Sequence, residues 1–115
     1  MVISQGDILF VDLDPSMGNE MKRRRPCVVV SNNNYNRFFN TLIIAPISSS
    51  SKYETESKYR FSSAYLSVEA ADIKGTILLQ HLRTIDPNKR TDGKVVASIS
   101  TNEILTINER VQQFL

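Results

Sequence analysis

Apolar and polar positions along this 115-residue chain change over in short runs, and only the C-terminus carries a helical stripe. Ile8-Leu-Phe-Val-Asp-Leu13 is rich in branched and aromatic residues and is bounded by Gly6 and Asp14-Pro15, which predicts a first strand. Leu9, Val11 and Leu13 fall on one of its faces and Ile8 and Phe10 on the other, so burial on much of both sides is expected. Residues 14–25 read as a long polar loop. Pro26 suits the first position of a second strand, where a missing amide costs least, and Cys27-Val-Val-Val30 continues it. The run Asn32-Asn-Asn34 ends that strand, Tyr35 to Phe39 fits one helical turn, and Thr41 to Ala45 is a third strand stopped at Pro46. Four serines from Ser48 and then mixed charge to Lys58 read as a mobile surface loop. Beyond it, Phe61 to Val68 gives one or two short strands, and Thr76 to Gln80 another, begun after Gly75. Asp86-Pro87 and Asp92-Gly93 mark turns, and Val95 to Ile99 is a last strand. Ser100-Thr-Asn-Glu103 has the reciprocal side-chain-to-backbone signature that starts a helix. Ile104, Ile107, Val111 and Leu115 then recur at helical spacing, leaving Asn108, Glu109 and Gln112 for solvent. The pattern predicts a mainly β fold: one domain over residues 1–115, built on a small, strongly bent sheet or barrel with a C-terminal helix.

Composition narrows the chemistry. A net charge of +2 is too small to argue for nucleic acid by itself, but four of the fourteen Lys and Arg residues are consecutive, from Lys22 to Arg25. One cysteine, Cys27, rules out an intramolecular disulfide and a multi-cysteine zinc site, and one histidine, His81, argues against a histidine-based metal centre. Neither a signal peptide nor a membrane-spanning run is visible, so a cytoplasmic protein without a membrane partner is expected.

The basic run sits inside Gly18-Asn-Glu-Met-Lys-Arg-Arg-Arg-Pro26. Such a loop is either a solvated hairpin connection or a phosphate-handling device, and the residues alone leave both open. Arg25 next to Glu20 reads equally as an exposed ion pair, worth under about 1 kcal/mol. Cys27 reads as a small core residue. Tyr35, Phe38, Phe39 and Tyr53 could stack on bases, although core packing is the expected role of the two phenylalanines.

The ordered set Gly6-Asp7, Asp12-Leu-Asp-Pro15, Gly18, Glu20, Arg25-Pro26, Val28-Val-Val-Ser31, Tyr35-Asn36, Pro46-Ile-Ser48 and Arg83-Thr-Ile-Asp86 resembles the MazF/PemK family of toxin endoribonucleases. The resemblance implies an SH3-like β-barrel that dimerises. It also implies metal-independent and cofactor-free cleavage of single-stranded RNA at short motifs, leaving a 2′,3′-cyclic phosphate and a 5′-hydroxyl. The implied partners are RNA, a second copy of the chain, and a MazE/PemI-like antitoxin whose flexible tail fills the RNA groove; operator DNA would be met only through the antitoxin complex. The family's catalytic arginine and threonine match Arg25 and Ser48, and Glu20 is a candidate proton acceptor or a clamp on Arg25. Asn19, Lys22, Arg23, Arg24, Gln80 and His81 are the expected RNA contacts. The chain departs from the family at Ser48, which keeps the hydroxyl but lacks the methyl that stiffens its rotamer, and at Met21, where relatives often carry glutamine. One branch of the family uses an arginine, an acid and a histidine at positions held here by Leu78, Gln80 and Asn19, so that constellation does not carry over. A non-catalytic gyrase poison like CcdB, which shares the fold, and a degenerate RNA-binding relative are the alternatives. The ending Gln112-Gln-Phe-Leu115 lacks the Trp-Gly-Ile of CcdB.

Overall fold

The computed structural model describes residues 2–14, 18, 23–60, 62–113 and 115, with Arg60 by its backbone alone. Among the described residues, seven strands, β1 (Asp7–Asp12), β2 (Arg24–Val29), β3 (Leu42–Ser48), β4 (Tyr65–Ala70), β5 (Ile73–Leu78), β6 (Arg83–Ile85) and β7 (Val95–Ser98), form one antiparallel sheet in the order β4-β5-β3-β2-β1-β7, with β6 also paired to β3. Its curled, mostly β form and its C-terminal helix α5 (Thr101–Val111) agree with the expected small barrel architecture. Short helices fill the connections: α1 (Asn33–Phe38), α2 (Lys52–Thr55), α3 (Ser57–Arg60) and α4 (Pro87–Arg90), with a 3₁₀ turn at Leu79–His81.

Strand alternation splits the core in two. Ile8, Val28, Ala45, Ile47, Val68, Ile77 and Leu79 pack beneath α5, which contributes Ile107 and the partly buried Ile104 and Val111. On the opposite face, Leu9, Val11, Leu13, Cys27, Val29, Leu42, Ile44 and Ile85 pack together. The helix starts as its sequence requires: Ser100 Oγ accepts from the Glu103 amide at 3.1 Å, and Glu103 accepts from the Ser100 amide at 2.9 Å. It ends a turn short of the apolar pattern, leaving Leu115 at 87% exposure, while Asn108 is not left to solvent but accepts from Gln5 Nε2 at 3.0 Å.

Two prolines determine how the sheet divides. Leu13 N–H donates to Arg23 O, so alternation along the β1–β2 register makes Val11/Arg25 and Leu9/Cys27 hydrogen-bonded pairs and leaves Phe10/Pro26 unbonded. The Pro26 nitrogen therefore points towards β3. There Val30 N–H donates to Ile43 O, which makes Val28/Ala45 a bonded pair and Cys27/Pro46 an unbonded one. The next bonded pair would be Pro26 with Ile47, and Pro26 has no N–H to give, so the β2–β3 ladder stops at Cys27/Pro46. The Pro46 nitrogen faces the other edge, in the gap between the Ile44/Arg83 pair with β6 and the Ile47/Ile77 pair with β5. Beyond the prolines β3 leaves β2 and stays with β5, and a fork opens.

Several strand limits therefore differ from the sequence pattern. Pro26 is the third residue of β2 and not its first, because its amide would face an edge that has no partner there. β3 runs through Pro46 to Ser48 for the same reason. β5 begins at Ile73, before Gly75, since a Cβ on Gly75 would come within 2.3 Å of the Ser48 carbonyl oxygen and only glycine lets the strands meet. The segment after Ser48 forms α2 and α3 instead of an irregular loop, held by a tyrosine cluster described below. Phe38 and Phe39 stay out of the core at 82% and 51% exposure, edge to face with each other at 5.1 Å. Arg83 and Asp86 do not pair with each other: Arg83 donates to Leu13 O at 2.8 Å, and Asp86 caps α4 by accepting from the Asn88 amide.

Gly75→Ala is expected to cost about 2–4 kcal/mol, a large overpacking penalty because the obstacle is backbone. Urea unfolding would measure it, and the loss should exceed that of Gly18→Ala, where the added Cβ meets nothing within 4 Å and only the left-handed backbone, φ 60°, about 1 kcal/mol, opposes it.

Candidate nucleic-acid groove at the fork

The fork is a groove of about 280 Å³ lined by Arg23, Arg24, Arg25 and Pro26 from β2 and its approach, Ile47 and Ser49 from β3 and its end, and Lys74 from β5. Continuing the β2–β3 register past Cys27/Pro46 by one step of two residues places Arg25 opposite Ser48, on the same face of the sheet. Of the two positions that the sequence singled out for phosphate chemistry, Arg25 thus lines the opening, and the buried Ser48 lies between its lining residues Ile47 and Ser49, where no ladder joins the two strands. Arg25 is half-buried and its charge reaches Cys27, two residues along the same face.

The cations have different surroundings. Arg24 pairs with Asp92 at 3.5 Å, both side chains more than half exposed, and lies over the Phe10 ring at 5.5 Å. An exposed pair of this kind, screened by solvent, contributes little. The Asp92 carboxyl is held below the usual carboxylate range first by the Lys94 backbone N–H and, to a smaller degree, by Arg24. Lys74, which strand patterning missed because it precedes Gly75, stands opposite Glu69 in the β4–β5 hairpin. Arg23 adopts a left-handed backbone conformation, φ 69°, tied by its N–H to Asp14 Oδ1 at 3.1 Å and by its carbonyl to Leu13 N–H at 3.0 Å. A bulky residue there carries a penalty of about 1–2 kcal/mol, retained where the chain turns its charge into the groove.

Ser48 is 6% exposed, and its hydroxyl oxygen accepts from the Ser50 N–H at 3.2 Å. Its cross-strand neighbour Thr76 is fully buried, and the Thr76 hydroxyl has no hydrogen-bond partner among the described residues. Gln80 and His81 do not line the groove; they lie in the 3₁₀ turn past the far end of β5 from Lys74. Glu20, Asn19 and Lys22 fall outside the described residues. No three His, Cys, Asp or Glu side chains converge among the described residues. No helix among the described residues is long and apolar enough to cross a membrane.

The family model described as "PemK-like, MazF-like toxin of type II toxin-antitoxin system" matches residues 4–115. The chain belongs to this toxin family. Among curated relatives, Endoribonuclease EndoA of Bacillus subtilis is 33% identical over 93 residues, 80% of this chain and 78% of that protein. Endoribonuclease MazF of Staphylococcus saprophyticus is 31% identical over 91 residues, covering 76% and 72%. The solved structure of MazF from Deinococcus radiodurans superposes with a TM-score of 0.79 at 19% identity, covering 98% of this chain and 96% of that one. A mycobacterial endoribonuclease solved with its cognate antitoxin gives 0.72 at 15% identity, covering 97% and 93%. At those identities the two structures speak for the fold alone, a mostly β sheet with a C-terminal helix.

Two outcomes test the local physics. Burial pushes the Cys27 thiol up to about 12, against the smaller opposing pull of Arg25 and Arg83. The unfolded thiol ionises near 9 while the folded one keeps its proton, so this group lowers stability progressively as pH rises from about 9 towards 12. A disulfide reagent should label the native chain only at its unfolding rate, and Cys27→Ala should flatten the alkaline limb of the stability–pH curve. Separately, Arg23→Gly should leave stability unchanged or raise it by up to about 1 kcal/mol by relieving the left-handed conformation, read from urea midpoints.

Proposed function

We propose that this chain is a toxin endoribonuclease that cleaves single-stranded RNA within a type II toxin–antitoxin pair. The observation that carries the reading is a cationic groove at the fork, lined by Arg23, Arg24, Arg25 and Lys74 and by Ile47 and Ser49 on either side of Ser48. The relatives' endoribonuclease names and the family match support the substrate class.

In this reading the 2′-oxygen of the substrate attacks the adjacent phosphorus as its proton passes to a base. The bond from phosphorus to the 5′-oxygen breaks, and that oxygen takes a proton. The products are a 2′,3′-cyclic phosphate and a 5′-hydroxyl, and no water or metal enters the balance. Arg25 carries a planar, permanently charged fork suited to the non-bridging oxygens as negative charge grows on them. Its pKa is too high for an efficient general base, so its part is electrostatic. The Ser48 oxygen already accepts a backbone amide, which leaves its own proton to donate to the phosphate. Glu20 is the proposed proton acceptor. Arg23 and Arg24, with Asn19 and Lys22, would follow the RNA backbone, and Lys74 joins them from β5. Gln80 and His81 would serve only an RNA that extends along β5. Two copies of the chain, acting in the cytoplasm, would place two such grooves along one RNA path. A MazE/PemI-like antitoxin with a flexible tail would compete for the groove, and operator DNA would be bound through that antitoxin.

Incubated with long single-stranded RNA in excess EDTA, the protein should give discrete fragments ending in a 2′,3′-cyclic phosphate and a 5′-hydroxyl. Arg25→Ala should lower the cleavage rate about 10²–10³-fold, and Ser48→Ala should lower it while Ser48→Thr retains it. Cleavage by Arg25→Ala at the parent rate, dependence on a divalent ion, or trapping of gyrase with RNA left intact would each sink the reading.

A further inference from the structure

Past Ser48 the chain folds back into α2 and α3, and what anchors them is aromatic. Tyr53 stacks on Tyr65 of β4 with ring centroids 5.1 Å apart and a 25° interplanar angle, and Tyr59 meets both edge to face, at 4.9 and 5.2 Å. All three rings are only half-buried. Two exposed ammonium groups lie over them: Lys52 at 5.0 Å from the Tyr53 centroid and 5.9 Å from that of Tyr59, and Lys58 at 4.9 Å from Tyr59. Carboxylates at Glu54 and Glu56 leave this segment without a large net charge, so bulk attraction is not its asset.

Register fixes where this cluster stands. Ser48 pairs with Thr76, and Tyr65 pairs with Leu78, two residues further along β5 on the same face. Two strand spacings across and two residues along put Tyr65 on the order of 12 Å from Ser48. Tyr65 thus shares its face with Ser48, Lys74 and the continued position of Arg25. A single strand with one phosphate between Arg25 and Ser48 would bring a base, a nucleotide or two away, over the tyrosines. Aromatic faces that hold unstacked bases, with cations at hand for the flanking phosphates, are how single strands are gripped without a sequence code.

We infer that Tyr53, Tyr59 and Tyr65, with Lys52 and Lys58, form a base-stacking subsite for the RNA segment flanking the scissile phosphate. The inference rests on the proposed endoribonuclease reading and adds a second contact zone to it. Its role is positioning: a flanking base held here aligns the phosphate in the fork, and longer RNAs should gain affinity from it.

The chain offers a direct probe. It has no tryptophan and four tyrosines, three of them in this cluster, so intrinsic tyrosine emission reports on it. Randomised 2′-O-methyl oligonucleotides, which lack the attacking hydroxyl, would be titrated at lengths of about four and about eight nucleotides, with absorbance correction. The longer one should quench emission and bind about tenfold more tightly, in line with one stacked base. Tyr59→Leu, which keeps apolar packing, should lose that length advantage, whereas Tyr35→Phe should keep both the advantage and the quench. Lys58→Gln leaves all three rings in place and should reduce the salt dependence of binding by roughly one counterion on a single strand. If discrete RNA cleavage is present but length brings no quench and Tyr59→Leu and Lys58→Gln bind as the parent does, the subsite falls and the endoribonuclease reading stands. If neither cleavage nor binding occurs, both fall.

Discussion

A proline cannot donate a main-chain hydrogen bond, and in this molecule two such missing donors organise everything near the groove. Pro26 turns its nitrogen towards β3 where the next ladder bond is due, and Pro46 turns its own towards the gap between β5 and β6. The sheet therefore parts at one place and remains continuous on either side. Both faces are sealed by branched residues up to that point, so the opening sits at the margin of a rigid core. Gly75 completes the arrangement by letting β5 close on the Ser48 carbonyl, which holds the far bank of the fork.

The cationic run becomes interpretable only in this setting. Lys22 to Arg25 are adjacent in sequence, yet the described members have different environments. Arg23 is held in a left-handed turn, Arg24 is engaged with Asp92 and Phe10, and Arg25 alone is half-buried on the strand face that carries Ser48. Charge alone does not distinguish these guanidinium groups, while strand parity decides which of them shares the face of Ser48.

Much of this was legible in the chain. The first strand, the last strand and the C-terminal helix follow from alternation and from the Ser100/Glu103 cap, because these depend on neighbours in sequence. The strand limits around Pro26, Pro46 and Gly75 were not, because a proline or glycine is read as punctuation until its edge partner is known. The same holds for β6, whose three residues form a strand only against Leu42–Ile44. Lys74 was missed since it precedes a glycine that looked like a boundary. The tyrosine cluster joins residues 53, 59 and 65 across two helices and a strand, which no local period reveals. Arg25 and Ser48 were reached through family resemblance, and their common sheet face through register. Phe38 and Phe39 were expected inside because of their size, yet the helix bearing them has no buried residue.

The fork also separates two kinds of heritable change. Its mouth is set by ring closure at two backbone nitrogens and by one absent side chain, none of which depends on what the loop residues are. Substitutions at Arg23, Arg24, Ser49 or Lys74 can alter the chemistry of the lining while the gap stays where it is. A lineage could then retune what enters the groove by small surface steps, without ever passing through a refolded intermediate.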